Sequence, residues 1–170
     1  KGWVRGDRPP AKKVPMTREQ VDNIFAHDTS IFATAALVGF ESLARLAELV
    51  SLKWKNVDIR QEVVILHLDR AKTDPFGTEG QFLSISRTTW DTVMLRLKKG
   101  RPAERIFAFS KGQFQHWIAA HGLTGHSMRR GGAQFLYDCG FPLDQIKSKG
   151  RWRSNAVFRY LDLSAESIVM

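Results

Sequence analysis

A single cysteine, Cys139, stands among 170 residues, so no internal disulfide can form and the composition suits a reducing compartment. The chain also lacks a Walker-type phosphate loop and any set of Cys and His at metal-ligating spacing. Its acidic residues are too few and too scattered for a two-metal nuclease. No cofactor and no metal are therefore expected. Internal repeats and low-complexity tracts are missing, and the first residues carry no signal-peptide pattern. Only one long apolar stretch occurs, Ile31 to Trp54, and it holds Glu41, Arg45 and Glu48, charges too costly at bilayer depth for a membrane partner to be expected. Tyrosine is scarce, with Tyr137 and Tyr160 alone. Acidic residues are in deficit, 17 against 26 Lys plus Arg, for a formal charge of +9. That excess is the footprint of a nucleic-acid partner, although by itself it would fit RNA, DNA or an anionic membrane surface. The 43% hydrophobic content and five Trp are enough for one globular domain with a real core.

The first 15 residues, KGWVRGDRPPAKKVP, are basic and rich in Pro and Gly and read as a linker arriving from something upstream. Structure begins at residue 16. Thr17 and Gln20 form a capping box, with Met16 and Val21 as the hydrophobic staple, for a helix over Arg18 to His27. The apolar stretch from Ile31 follows as one buried helix. Two alternating runs, VVILHL within Asn56 to Leu68 and FLSIS within Gln81 to Ser86, predict antiparallel strands joined by the turn-rich DRAKTDPFGTEG. Helices are then expected over Thr88 to Lys98, Ser110 to His121 (from a Ser110/Gln113 capping box), His126 to Cys139, Pro142 to Gly150, and a short one from Ser154. The fold class is α+β: a mostly helical domain over residues 16–170, with a small antiparallel sheet inserted after the second helix.

On a continuous helix, steps of four and three residues bring Glu41, Arg45 and Glu48 to one narrow face. The bland account is a structural ion pair; the other is an anion pocket in which Glu48 orients Arg45. Glu41 is either solvated or paired elsewhere. His126 and Arg129, three apart at a helix start, form a phosphate-sized cradle, although any solvated helix face can carry that spacing. Gly131 and Gly132 sharpen it, because two glycines inside a helix cost roughly 1 kcal/mol each relative to Ala and imply that something approaches closely. Trp152 and Tyr160, in GRWRSNAVFRYL, would each pass singly for a core residue.

Together these segments resemble the tyrosine recombinases, or phage-type integrases. AALVGFESLARLAELVSLKWKNVDI resembles that family's first signature, with an Arg followed three residues on by Glu. HSMR resembles its His-x-x-Arg helix start, and Trp152 with Tyr160 its His-or-Trp and nucleophilic Tyr. Lys72, in AKTDPFG between the strands, matches the family's hairpin lysine in position and context. The likeness runs from about Met16 to Leu163, and in style is nearest the recombinases of eukaryotic mobile elements. The eight residues from Trp152 to Tyr160 are one fewer than in bacterial members, which puts the register of the tyrosine in question.

The resemblance implies a recombinase or integrase that cleaves and rejoins double-stranded DNA through a 3′-phosphotyrosine, in a homo-oligomeric, tetrameric synapse. Arg45, Lys72, His126, Arg129, Trp152 and Tyr160 would be catalytic, with Glu48 behind Arg45. Arg5, Arg8, Lys12, Lys13, Arg130, Arg151 and Arg153 would contact DNA. The compartment would be the nucleus in a eukaryote, or the cytoplasm and nucleoid in a prokaryote. A catalytically inactive DNA-binding module and a type IB topoisomerase-like enzyme stay open as alternatives.

Overall fold

A computed structural model describes residues 14–69, 81–159 and 161. Its helices are α1 (Arg18–His27), α2 (Ile31–Ser42), α3 (Leu46–Ser51), α4 (Arg87–Met94), α5 (Lys111–Ala119), α6 (Ser127–Asp138) and α7 (Leu143–Gly150). Strands β1 (Val57–Ile59), β2 (Val63–His67) and β3 (Phe82–Ser86) lie between α3 and α4, and short 3-10 turns occupy Trp54–Asn56 and Asn155–Arg159. The domain is α+β, as its sequence implies. Both capping boxes form: Gln20 N–H donates to Thr17 Oγ1 at 3.0 Å and Gln113 N–H to Ser110 Oγ at 3.1 Å, and each glutamine returns a bond to the cap.

The sheet is a β1-β2-β3 meander, antiparallel throughout. Val64 faces Ile85 and Leu66 faces Leu83 across β2 and β3, and all four are buried, whereas their neighbours along each strand are more exposed. This alternation turns one face onto the core. The run Asn56 to Leu68 therefore holds two strands, turning at residues 60–62, where one was expected.

The long helix expected from Ile31 is two helices. Leu43 takes the left-handed conformation at φ 59°, ends α2, and lets the chain restart at α3. A non-glycine residue there costs about 1–2 kcal/mol, and no Gly, Pro or Asn marks the break. Burial supplies the compensation. Leu43 is 0% exposed in a second, smaller core with Ala133, Ile146, Val157 and Leu161. Glu41, Arg45 and Glu48 consequently do not share one helical face.

Helix α6 passes close to two backbones. A Cβ on Gly132 would lie 2.1 Å from the Phe40 carbonyl oxygen, and one on Gly131 would lie 1.9 Å from that of Met16. The close approach implied by these glycines is thus made by the protein itself, by α2 and by the segment leading into α1. That segment is also tied to α6 by bonds from Met16 N–H to the Ser127 carbonyl at 2.9 Å and from the Ser127 hydroxyl to the Val14 carbonyl at 2.8 Å. The main core lies under α2, the sheet and α5, with Phe32, Phe109, Phe114 and Trp117 packed ring against ring. No described helix is long and apolar enough to cross a membrane.

Candidate anion-binding active site

The break at Leu43 creates the site. It leaves a carbonyl at the end of α2, and Arg129 Nη1 donates to it at 2.7 Å. Arg129 is only 6% exposed, and its guanidinium carbon lies 3.9 Å from the centre of the Trp152 ring. A cationic plane held between a helix-end carbonyl and an indole face is fixed in direction. Trp152 meets the arginine through that face. The same ring passes so close to Gly150 that a Cβ there would lie 1.8 Å from its edge.

Arg45 begins α3 from the other side of the break. Its backbone N–H donates to Glu48 Oε1 at 2.8 Å and its Nη1 to Oε2 at 3.4 Å. The arginine side chain is half exposed and the glutamate mostly covered, at 50% and 16%. Glu48 thus contacts Arg45 by a local backbone bond and a long side-chain pair, not across a shared helical face. Arg45, His126, Arg129, Arg130 and Trp152 together line one cavity of about 170 Å³. His126 is exposed just before α6, while Arg129 and Arg130 are buried on its first turn. Arg45 and His126 also border a larger groove of about 500 Å³ with Lys111, Gln115 and Thr124, residues that no sequence motif marks.

Other expected residues fall differently. Arg153 is exposed. Arg151 is turned inward: its side chain is 9% exposed and pairs with Glu48 Oε1, and its backbone is left-handed at φ 60°. Glu41 accepts the Ser86 N–H at 2.8 Å, at the start of α4, and lies in the field of Lys149. Lys149, which nothing in the sequence singles out, donates to the carbonyl and hydroxyl of Ser84, both at 3.1 Å, and so ties α7 to β3. Burial lowers its pKa below the usual lysine value; Arg151 lowers it further and Glu41 opposes. Lys72, Tyr160, Arg5, Arg8, Lys12 and Lys13 lie outside the described residues. Among the described residues no group of three or more His, Cys, Asp or Glu could hold a metal.

The resulting arrangement is a small basic cavity with three guanidinium groups, the half-exposed Arg45 and the buried Arg129 and Arg130, beside an imidazole and an indole. It suits an oxyanion of phosphate size. The chain around it has the fold of tyrosine recombinases and integrases. It superposes on XerA recombinase with a TM-score of 0.70 at 17% identity, over 96% of this chain and 64% of that one. Against the Tn1549 transposon integrase in complex with circular intermediate DNA the TM-score is 0.61 at 16% identity, over 96% and 66%. A lambda integrase dimer bound to a core site gives 0.64 at 17% identity, over 94% and 51%. The chain therefore spans about two thirds or less of these structures' length. No family model matches the sequence, and no curated protein does.

Proposed function

We propose that this domain is the strand-transfer module of a DNA recombinase or integrase, cleaving and rejoining DNA through a phosphotyrosine. The observation that carries the reading is the convergence of Arg45, His126, Arg129 and Trp152 on one cavity. These residues come from the α2/α3 break, the start of α6 and the end of α7, and they are those the sequence motifs single out. Support also comes from the +9 charge and from fold neighbours solved on DNA.

In this mechanism the guanidinium groups of Arg45 and Arg129 hold the non-bridging oxygens of a scissile phosphodiester, where charge grows as the phosphorus is attacked. His126 adds a donor, and Trp152 keeps Arg129 in plane. The Tyr160 hydroxyl attacks phosphorus; its proton is lost to solvent or to a neighbouring base, and the bond to the 5′ oxygen breaks. Lys72 protonates that oxygen as it leaves. A 3′-phosphotyrosine results and keeps the bond energy for resealing, when a 5′ hydroxyl attacks it and Tyr160 is released. Residues 1–15 serve as the basic arm from an upstream DNA-binding domain, and the active assembly is a tetramer of this chain on two duplexes.

The test is incubation with nicked duplex DNA followed by denaturing electrophoresis. The chain forms a denaturant-resistant adduct, and Tyr160→Phe binds the DNA but forms none. Tyr137→Phe forms it normally, since Tyr137 packs against the second core. An adduct mapped to another residue, or none from the parent chain, refutes this reading; DNA binding without any adduct favours the inactive DNA-binding module.

A further inference from the structure

Arg151 and Trp152 are consecutive, yet each reaches a different arginine of the cavity. The Trp152 ring lies on Arg129, whereas Arg151 pairs with Glu48, the residue that holds Arg45. Glu48 Oε1 receives both the Arg151 guanidinium and the Arg45 N–H, which leaves Oε2 as the only Glu48 oxygen facing the Arg45 side chain, at a long 3.4 Å. Two guanidinium charges thus share one carboxylate. Were Arg151 absent, that carboxylate would be free to pair fully with Arg45 and neutralise it. The backbone of Arg151 is left-handed, a conformation that glycine adopts more readily, and its Nη1 donates back to the Lys149 carbonyl at 3.4 Å.

We propose that Arg151 is a positioning residue: by holding Glu48 it keeps Arg45 oriented and only half neutralised, so that its guanidinium stays available to an incoming phosphate. This rests on the reading of the cavity as a phosphate site. It also gives the α7 C-terminus a function: residues 151 and 152 together clamp the arginines immediately before the segment that leads to Tyr160. An arginine suits the task better than a lysine, because a planar fork can engage the carboxylate and a carbonyl at once.

The experiment follows the Arg45 side-chain N–H resonances by NMR in the full chain while inorganic phosphate is added, and records melting temperatures alongside. In the parent chain the Arg45 signal shifts and saturates. Arg151→Gly, compatible with the positive φ, keeps the fold and raises the phosphate midpoint roughly tenfold, the lower end of what partners behind a metal ligand contribute. Arg151→Lys restores the charge without the fork and remains several-fold weaker than the parent. A Lys variant equal to the parent would make the effect one of net charge and overturn the positioning role, as would an unchanged midpoint in folded Arg151→Gly. Should the Gly variant fail to fold, the Lys variant alone decides by the same criterion. Failure of the Arg45 signal to respond to phosphate in the parent overturns the proposal. If phosphate binds at Arg45 but no adduct forms on nicked DNA, the strand-transfer reading falls and the positioning role stands.

Discussion

Two arginines of the cavity, Arg45 and Arg129, carry different structural duties, and replacing each with Ala should separate them. Arg129 makes a charge-assisted bond to the Leu43 carbonyl at 2.7 Å and lies on Trp152 at 3.9 Å. Buried hydrogen bonds to charged groups contribute about 1.5–3 kcal/mol, and a cation over an indole about 0.5–2 kcal/mol. Arg129→Ala should therefore destabilise the domain by about 3 kcal/mol. For a domain of this size that corresponds to a fall in melting temperature of about 6–12 °C. Arg45, 50% exposed with Glu48 as its partner, belongs with surface pairs that contribute about 1 kcal/mol or less. Arg45→Ala should melt within about 4 °C of the parent. Urea and thermal unfolding on the three proteins give the comparison, and adduct formation on nicked DNA should be lost in both variants. An Arg129→Ala protein as stable as the parent would refute its assigned role at the α2/α3 break. An Arg45→Ala protein destabilised as much as Arg129→Ala would instead mark the Arg45–Glu48 pair as structural.

Other outcomes follow from the same geometry. Gly132→Ala, which would stabilise an exposed helix by about 1 kcal/mol, should here destabilise by about 1–3 kcal/mol, because the new Cβ would lie 2.1 Å from the Phe40 carbonyl; urea unfolding decides the sign. Lys149 binds its proton less tightly in the folded than in the unfolded chain, chiefly through burial. Its charge therefore opposes folding at neutral pH, and that penalty is relieved as pH rises through the lowered folded value toward the ordinary 10.5. Unfolding followed from neutral to alkaline pH should show this stabilising contribution in the parent and its absence in Lys149→Met; identical pH profiles would refute it.

The sequence by itself determined the element types, because periodicity and caps are local. Thr17/Gln20 and Ser110/Gln113 start their helices as written, and VVILH and FLSIS alternate so that one face is buried. It also singled out Arg45, Glu48, His126, Arg129 and Trp152, since each stands in a motif with recognisable spacing. Only the tertiary structure decided how they meet. The break at Leu43 carries no local signal, being stabilised by burial against Ala133, Ile146, Val157 and Leu161, all distant in sequence. That break directs Arg45 to the cavity and gives Arg129 a carbonyl to hold. Gly131 and Gly132 announced a close approach without saying that Met16 and Phe40 make it. Arg151, with Lys149 and Arg153 two positions away on either side, carries no local sign of the pairing with Glu48 that the fold brings about. A local rule cannot anticipate a partner 103 positions away.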